Sequence, residues 1–326
     1  IIELKQWQEV KKTNKDAIVK TRFQHGEKET NHPSYQAWSY SALIEDYNET
    51  VRQESIHLQP CAYLHNMKSR EVINDPFYND HTDKAPVFIS PDALKLAEFL
   101  KQNVKCGDSD NIMYRIEHGV IKPSKNLADA LVSMLDGNPE FLMIDEQKLV
   151  YETALHLAHK AQHGEKQTLV VSGGPGTGKS VVAINLLAEL TKREMLVQYV
   201  SKNAAPREVF KKKLIGSRKK VHIDPMFKGS GSYTGVEANK FGALLVDEAH
   251  RLNEKSGLYG NLGENQIKEL IVGSRFNIFF IDEAQRVTLK DIGSVEAIKQ
   301  WSNQLGSTVT ELDLVSQFRC NGSDGY

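Results

Sequence analysis

The chain has 326 residues, of which 40% are apolar and 25% charged, a balance that is typical of soluble globular proteins and excludes a chain disordered throughout. Lysine and arginine number 41 against 42 aspartate and glutamate, so any affinity for nucleic acid must come from local basic patches. The three scattered cysteines form neither a disulfide framework nor a zinc spacing. No apolar run has the length of a membrane span and no signal-peptide pattern opens the sequence, so we expect a cytoplasmic protein without a membrane partner.

The first hundred residues mix strand-like and helix-like patterns. Ile1-Ile2-Glu3-Leu4-Lys5 predicts a strand in which Glu3 and Lys5 share one face, because side chains alternate along a strand. Residues 36–40 predict a helix that places Gln36 and Tyr40 on one face, since they are four positions apart. We therefore predict a smaller α/β domain over residues 1–105.

The rest of the chain divides at a polar segment. Residues 106–140 contain several glycine and proline breakers, with a short helical pattern at 127–131, and we predict a linker region there. From residue 141 onward, helical patterns alternate with short apolar strands. This alternation predicts an α/β domain over 141–326, with a parallel sheet and helices on both faces.

A complete G-x-x-x-x-G-K-[ST] motif follows the apolar run 169–171 and precedes a helical pattern. Glycines allow backbone N–H groups to surround phosphates, the lysine reaches the β and γ oxygens, and the final hydroxyl can bind Mg²⁺. A glycine-rich turn with an incidental lysine is the alternative, and the flanking strand and helix argue against it. We predict that ATP and Mg²⁺ bind at Gly173, Gly174, Pro175, Gly176, Thr177, Gly178, Lys179 and Ser180.

Two acids end a second apolar strand, at Leu244-Leu245-Val246-Asp247-Glu248. Strand ends in parallel sheets face the ligand, so we expect Asp247 to hold, through water, the Mg²⁺ bound by Ser180. Glu248 is then placed to orient or deprotonate the water that attacks the γ-phosphate. The alternative is a surface turn after a buried strand.

A third apolar strand ends in Asp282-Glu283-Ala284-Gln285-Arg286, and together these motifs resemble the helicase motifs of superfamily 1. The resemblance implies that Gln285 senses the γ-phosphate and that Gln147, upstream of the phosphate loop, reads the adenine. It also implies that Arg319 acts as an arginine finger, because a planar, permanently charged guanidinium suits the charge that develops on phosphoryl oxygens. A solvated residue that opens a helix is the alternative for Gln147.

Two basic segments are candidates for contact with nucleic acid. The strand and loop at 197–203, which include Lys202, lie where superfamily 1 helicases contact the nucleic-acid backbone. Six lysines and arginines follow between residues 211 and 220, and we expect Lys212 and Lys219 among them to neutralise phosphates. A solvated helix face is the commoner meaning of such a run, and it remains the alternative.

Residues 141–326 resemble, more closely, bacterial ATPases related to the helicase domain of Schlafen proteins. The resemblance is carried by Ile144-Asp145-Glu146-Gln147, Asn203-Ala204-Ala205-Pro206-Arg207, Ile281-Asp282-Glu283-Ala284-Gln285-Arg286-Val287 and Gln317-Phe318-Arg319-Cys320-Asn321-Gly322-Ser323. It implies a RecA-like P-loop NTPase fold. We expect the later motifs of a second RecA-like lobe to lie beyond Tyr326.

The N-terminal pattern resembles a PD-(D/E)xK nuclease domain of the RecB-like type, with a Q-x-x-x-Y helix. The resemblance implies a restriction-endonuclease-like fold in which Glu3 holds a metal and Lys5 activates water or stabilises the developing phosphorane charge. Gln36 and Tyr40 would support that site, and we expect the paired aspartate upstream of Ile1. The alternative is a nuclease-like domain that only binds or packs.

The combined interpretation is an ATP-dependent nucleic-acid motor coupled to a metal-dependent nuclease in the bacterial cytoplasm. The resemblances imply a role in phage defence or DNA repair, with DNA favoured over RNA as the partner and an oligomer possible. The alternative is an ATP-gated regulatory switch, or an RNA-directed Schlafen-like protein, in which the nuclease-like domain is inert.

Overall fold

The computed structural model describes residues 1–120, 127–136, 138, 141–215, 223–257 and 260–316. The chain divides into two compact units. The first comprises Ile1–Ser124 with Leu142–Leu149, and the second comprises Lys125–Phe141 with Val150–Tyr326. Every helix in the described ranges is too short or too polar to traverse a bilayer.

The first unit contains two small sheets and several helices. A parallel sheet has the order β1-β5-β6, and an antiparallel meander has the order β2-β3-β4. The strands are β1 (Ile2–Lys5), β2 (Val10–Lys12), β3 (Ile18–Phe23), β4 (Gly26–Asn31), β5 (Cys61–Leu64) and β6 (Val87–Ile89). The helices are α1 (Pro33–Tyr47), α2 (Glu49–Gln53), α3 (Asn79–Thr82), α4 (Ala93–Asn103) and α5 (Ile112–Glu117).

Helix α1 packs on β1 and β5 and so faces the strand that carries Glu3 and Lys5. It begins after His32, whose ring accepts a hydrogen bond from the backbone N–H of Ser34 at 3.2 Å, and Pro33 occupies the first turn, where its missing N–H costs nothing. Tyr35 and Ala37 are buried beneath the helix. The packing therefore places the helix that carries Gln36 and Tyr40 beside the strand that carries Glu3 and Lys5.

The second unit is built on a parallel sheet whose six described strands have the order β12-β7-β11-β10-β8-β9. The strands are β7 (Gln167–Gly173), β8 (Val197–Ser201), β9 (Phe227–Lys228), β10 (Phe241–Asp247), β11 (Ser274–Ile281) and β12 (Thr308–Leu314). The helices are α6 (Leu127–Leu135), α7 (Asp145–Gln162), α8 (Lys179–Lys192), α9 (Ala204–Ile215), α10 (Gln266–Gly273) and α11 (Val295–Gln304). Helix α7 starts in the first unit and continues into the second.

The central strands of this sheet are buried almost throughout, which explains why their sequences are continuous apolar runs rather than alternating ones. Residues 244–246 of β10 and 278–281 of β11 are fully buried side by side. The predicted α/β class is confirmed for both parts of the chain, and the predicted parallel sheet of the P-loop ATPase type is confirmed for the second.

The helical pattern at 127–131 forms α6, which packs against α8 and α9 of the second unit. Ala128, Leu131 and Met134 are buried in this contact. The C-terminal part of the segment that we predicted as a linker thus contributes apolar surface to the core of the second unit.

Candidate nucleotide site

The phosphate loop lies between β7 and α8, at the carboxyl end of a central strand. Gly176 and Gly178 have φ values of 80° and 88°, in the left-handed region that favours glycine. Gly178 is also the cap of α8, so the backbone N–H groups of the first helical turn point into the loop. Such a helix N-terminus binds anions through its unpaired N–H groups and its dipole.

The side chain of Lys179 folds back over the loop. Its ammonium donates hydrogen bonds to the carbonyl oxygens of Gly173 at 2.6 Å and Gly174 at 2.7 Å, and the side chain is buried. Thr177 also donates to the carbonyl oxygen of Gly174, at 3.0 Å. These contacts keep the positive charge inside the curve of the loop, where phosphate oxygens would meet it.

Asp247 ends β10 beside the loop and is buried, with 3% of its surface exposed. Its Oδ2 atom accepts hydrogen bonds from the hydroxyls of Ser180 at 2.8 Å and Tyr199 at 2.6 Å. Its Oδ1 atom accepts from the backbone N–H of Glu248 at 3.0 Å. A hydroxyl and a carboxylate in direct contact are hard oxygen ligands that fit Mg²⁺.

Glu248 follows in a left-handed conformation, with φ of 55°. Burial raises the pKa of its carboxyl, and the neighbouring charge of Asp247 raises that pKa further. The Oε2 atom of Glu248 lies 3.1 Å from Nε2 of the buried His250. A carboxyl whose pKa is raised is a stronger base than an exposed one once it is ionised.

His250 joins the two acidic strand ends. Its Nδ1 accepts a long hydrogen bond, 3.4 Å, from the backbone N–H of Asp282, so its Nε2 carries the proton that faces Glu248. Burial lowers the pKa of His250, which favours this neutral imidazole. The histidine therefore connects the carboxyl ends of β10 and β11.

Asp282 and Gln285 lie at the end of β11. Asp282 accepts the backbone N–H of Ala284 through Oδ1 at 3.2 Å, while its buried Oδ2 has no hydrogen-bond partner among the described residues. Gln285 is half-buried in the following short helical turn. A cavity of about 360 Å³ opens here, lined by Ser172, Gly173, Gly174, Ile281, Asp282, Glu283, Asp313, Leu314 and Val315.

The roles of two predicted site residues, Gln147 and Arg319, stay predictions. Gln147 is buried in the first turn of α7 and belongs to the first unit, so its reading of adenine stays a prediction. Arg319 lies outside the described residues, and its role as an arginine finger also stays a prediction.

Lys202, predicted to contact nucleic acid, has two partners within its own unit. Its ammonium donates to Asn253 Oδ1 at 2.9 Å and to Asp291 Oδ1 at 3.2 Å. Asp291 also accepts the backbone N–H groups of Val287 and Thr288. The lysine thus ties the loop after β8 to the segment after β11.

The basic run on α9 is only partly committed to ion pairs. Lys213 lies 2.8 Å from Asp129, and Lys211 lies 3.4 Å from Glu208. Lys212 is exposed between them. Lys219 lies outside the described residues.

In the first unit, the predicted pairs meet as expected, and a further acid joins them. Lys5 and Glu3 form an ion pair of 2.8 Å, and Gln36 donates to the hydroxyl of Tyr40 at 3.0 Å. Asp145 Oδ1 accepts from that hydroxyl at 2.6 Å and from the Gln36 amide at 3.0 Å.

Burial raises the pKa of Asp145, and the charges of Glu146 and Glu3 add to the shift. The described residues contain no group of three or more histidine, cysteine, aspartate or glutamate side chains that could hold a metal. Of the ligands that the nuclease resemblance implies, the described residues supply Glu3, and metal-dependent cutting by this region stays a prediction.

Three residues of these sites were missed by sequence reasoning: Tyr199, His250 and Asp145. Each acts through a partner that is distant in sequence or on another strand. The one sequence signal available was the position of His250, which directly extends the Asp247-Glu248-Ala249 motif.

Residues 166–326 match the family model described as "Schlafen group 3, DNA/RNA helicase domain". The match covers the phosphate loop and both acidic strand ends. This part of the chain therefore has a P-loop ATPase fold and is similar to the helicase domain of Schlafen proteins. Comparison with curated proteins gave no match.

Several solved structures are distantly similar. A DNA replication initiation factor has 18% identity over 55% of this chain and 48% of its own, with a TM-score of 0.29. The SWI2/SNF2 ATPase core of Sulfolobus solfataricus, in complex with dsDNA, has 13% identity over 51% and 43%, with a TM-score of 0.29. PCH-2 of C. elegans has 12% identity over 59% and 46%, with a TM-score of 0.27. The chain spans about half the length of these structures.

The Lys202–Asp291 contact generates a pH prediction. Burial alone would raise the pKa of Asp291, but the Thr288 N–H, the Lys202 ammonium and the Val287 N–H outweigh it and lower the pKa from 3.8 to about 2. Because the folded-state pKa is the lower one, ionised Asp291 stabilises the fold above about pH 4, and this contribution is lost as the pH falls through 2. We expect the stability lost in Asp291→Asn, measured by urea unfolding, to shrink by about 2 kcal/mol across that window.

A stability difference between the parent chain and Asp291→Asn that stayed constant down to pH 2 would contradict this account. Asp313→Asn is the matched control, because Asp313 is exposed and accepts no such set of hydrogen bonds among the described contacts.

Proposed function

We propose that the chain binds ATP with Mg²⁺ and hydrolyses it, as the motor domain of a nucleic-acid helicase or translocase. The observation that carries this proposal is the direct 2.8 Å contact between Ser180 of the phosphate loop and Asp247 at the end of β10. A structural turn needs no buried carboxylate against the loop hydroxyl, whereas a site for Mg²⁺ and a triphosphate needs both.

Each residue has a distinct part in this proposal. The loop N–H groups and Lys179 bind the β and γ phosphates, and Ser180 with Asp247 would hold Mg²⁺. Bound Mg²⁺ supplies charge neutralisation between the phosphates. Glu248 orients the attacking water and takes its proton, helped by a raised pKa, while His250 keeps that carboxyl in place.

Further contacts to the nucleotide rest on the superfamily 1 resemblance. Gln285, at the end of β11 and near the cavity, is proposed to sense the γ-phosphate. Arg319 is proposed to stabilise the charge of the transferring phosphoryl group, and Gln147 to read the adenine.

We propose nucleic acid, DNA rather than RNA, as the partner of this motor. Exposed Lys212 on α9 supports a backbone contact, and Lys202 and Lys219 are proposed to extend it. Lys202 would then exchange its present partners, Asn253 and Asp291, for a phosphate oxygen, which links nucleic-acid binding to the end of β11. The Schlafen likeness favours a cytoplasmic role in phage defence or DNA repair.

A second activity, cleavage of DNA by the first unit, is favoured by one observation. Glu3 and Lys5 lie on β1, Gln36 and Tyr40 lie on α1, which packs against β1, and the charge of Glu3 contributes to the raised pKa of Tyr40. The alternative is an inert nuclease-like domain and an ATP-gated switch. The contacts of Asp145 favour that alternative, because they occupy both Gln36 and Tyr40.

The nucleotide assignment predicts two different phenotypes. Lys179→Ala should weaken ATP binding, because it removes ground-state phosphate contacts, whereas Glu248→Gln should keep binding and reduce turnover by about 10²- to 10⁴-fold. Calorimetry with ATP and a phosphate-release assay separate the two effects. The control is Glu254→Gln, an exposed glutamate on the same connection. Normal turnover in Glu248→Gln would mean that another group activates the water.

The nucleic-acid assignment predicts a change in salt dependence. Lys212→Glu should weaken binding of unrelated DNA sequences about equally and reduce the slope of log affinity against log salt by about one. Fluorescence anisotropy at several salt concentrations measures both. Lys192→Glu, an exposed charge reversal at the end of α8, is the matched control. Equal slopes for the two variants would return α9 to a solvated helix face.

The cleavage assignment predicts separable activities. Glu3→Ala or Lys5→Ala, in the full-length protein, should abolish metal-dependent cutting of labelled DNA while ATP hydrolysis continues nearly unchanged. Gln36 and Tyr40 should matter less, because they position rather than react. Alanine at the exposed Lys11–Glu27 ion pair of the same unit is the control. Undiminished cutting with both Glu3 and Lys5 replaced would favour the regulatory switch.

A further inference from the structure

Tyr199 in the middle of β8 connects two parts of the second unit. Its hydroxyl donates to Asp247 Oδ2 at 2.6 Å, and its side chain is almost completely buried. Its ring packs against Phe210 of α9 at 5.7 Å and against Phe227 of β9 at 5.9 Å. One side chain thus contacts both the proposed magnesium ligand and the helix that carries Lys212.

The hydroxyl determines how the carboxylate of Asp247 is oriented. Oδ2 receives two hydroxyl donors, Ser180 and Tyr199, while Oδ1 receives the backbone N–H of Glu248. Ser180 is also a proposed ligand of Mg²⁺, so its hydroxyl cannot serve Oδ2 alone. Tyr199 remains the donor that is committed to the carboxylate, and an O–H···O⁻ hydrogen bond of this length belongs to the strong, charge-assisted class.

The aromatic contacts link the position of α9 to the position of the Tyr199 ring. Phe210 and Phe227 stack on each other with ring centroids 5.6 Å apart, and both border the Tyr199 ring. Lys212 lies two positions after Phe210 on the same helix. Because this cluster is closely packed, a shift of α9 on binding a nucleic-acid backbone would be transmitted to the Tyr199 ring and hence to its hydroxyl.

A purely structural role would be different in one respect. Any buried tyrosine needs a hydrogen-bond partner, and Tyr233 of the same unit satisfies this with the neutral amide of Gln198, at 2.8 Å. Tyr199 instead donates its hydrogen bond to Asp247, the carboxylate that we propose as a ligand of Mg²⁺. The two tyrosines therefore form a matched pair, similar in burial and different in acceptor.

We propose that Tyr199 is a positioning residue for Asp247. Its hydroxyl keeps the Asp247 carboxylate in the orientation that binds Mg²⁺, and its ring couples the position of α9 to ATP turnover through that carboxylate. This inference rests on the proposed ATPase function. It adds that nucleic acid bound on α9 stimulates ATP hydrolysis through the Phe210–Tyr199–Asp247 contacts.

The test compares Tyr199→Phe with Tyr233→Phe, each of which removes one buried hydroxyl. We expect Tyr199→Phe to raise the Mg²⁺ concentration for half-maximal ATP hydrolysis about tenfold, the value for loss of one hydrogen bond to a charged group. Mn²⁺ binding in the presence of a non-hydrolysable ATP analogue, followed by electron paramagnetic resonance, should weaken by a similar factor. Tyr233→Phe should leave both quantities unchanged.

The coupling is tested with single-stranded DNA as the probe. Phe210→Leu should keep the Mg²⁺ dependence measured without DNA and reduce the stimulation of ATP hydrolysis by DNA. Val209→Ala, at an exposed neighbouring position of α9, should not. Unaltered stimulation in Phe210→Leu would overturn the coupling, because the aromatic contacts would then transmit nothing.

The outcomes separate this inference from the proposed function. Suppose that the parent chain hydrolyses ATP and Lys179→Ala stops the hydrolysis, but both tyrosine variants have the Mg²⁺ dependence and the Mn²⁺ affinity of the parent chain. The proposed ATPase function then stands, and Tyr199 is only a core residue. If the parent chain neither binds nor hydrolyses ATP, the proposed function fails, and the inference fails with it. Thermal unfolding of each variant shows whether a change in activity is a loss of fold.

Discussion

The burial of one carboxylate organises the nucleotide site. Asp247 is 3% exposed at the end of β10, and an ionised carboxylate removed from water is costly unless donors surround it. Its donors come from three places: the phosphate loop, through Ser180; strand β8, through Tyr199; and the adjoining backbone, through Glu248. The same interactions that make the buried charge tolerable therefore align the loop with the strands on either side. A change at any of these donors acts on the whole site.

The parallel sheet allows this arrangement, because its strand order puts β7, β11, β10 and β8 side by side with their carboxyl ends at one edge. Residues from distant parts of the sequence are thereby brought within hydrogen-bond reach. His250 and Asp282 illustrate this, since they end neighbouring strands and meet through a single backbone N–H. The residues of the site consequently come from the loops that follow several strands and not from one segment. Lys202 adds the segment after β11 through its contact with Asp291.

Local signals were enough to predict β7, β8, β10 and β11, the phosphate loop and the acids that follow β10 and β11, because each depends on neighbours in sequence. The position of α6 was not predictable in the same way: a short amphipathic pattern shows that a helix forms but not which surface covers it, and α6 packs against α8 and α9. Tyr199 looked like an ordinary strand residue, since its partner Asp247 is 48 positions away. Asp145 is 105 positions from Tyr40, and nothing in its own surroundings in the sequence indicated that contact.

Asp145 also bears on the choice between cleavage and regulation in the first unit. One carboxylate oxygen accepts hydrogen bonds from both the Tyr40 hydroxyl and the Gln36 amide, which are the donors that the proposed nuclease site would offer to a substrate phosphate. A phosphate oxygen could use them only by displacing Asp145, a half-buried acid whose pKa is already raised by its burial. Binding of a nucleic-acid backbone to the Gln36 and Tyr40 donors would therefore require the release of Asp145. Occupancy of the Gln36–Tyr40 face and the conformation at the start of α7 would then influence each other.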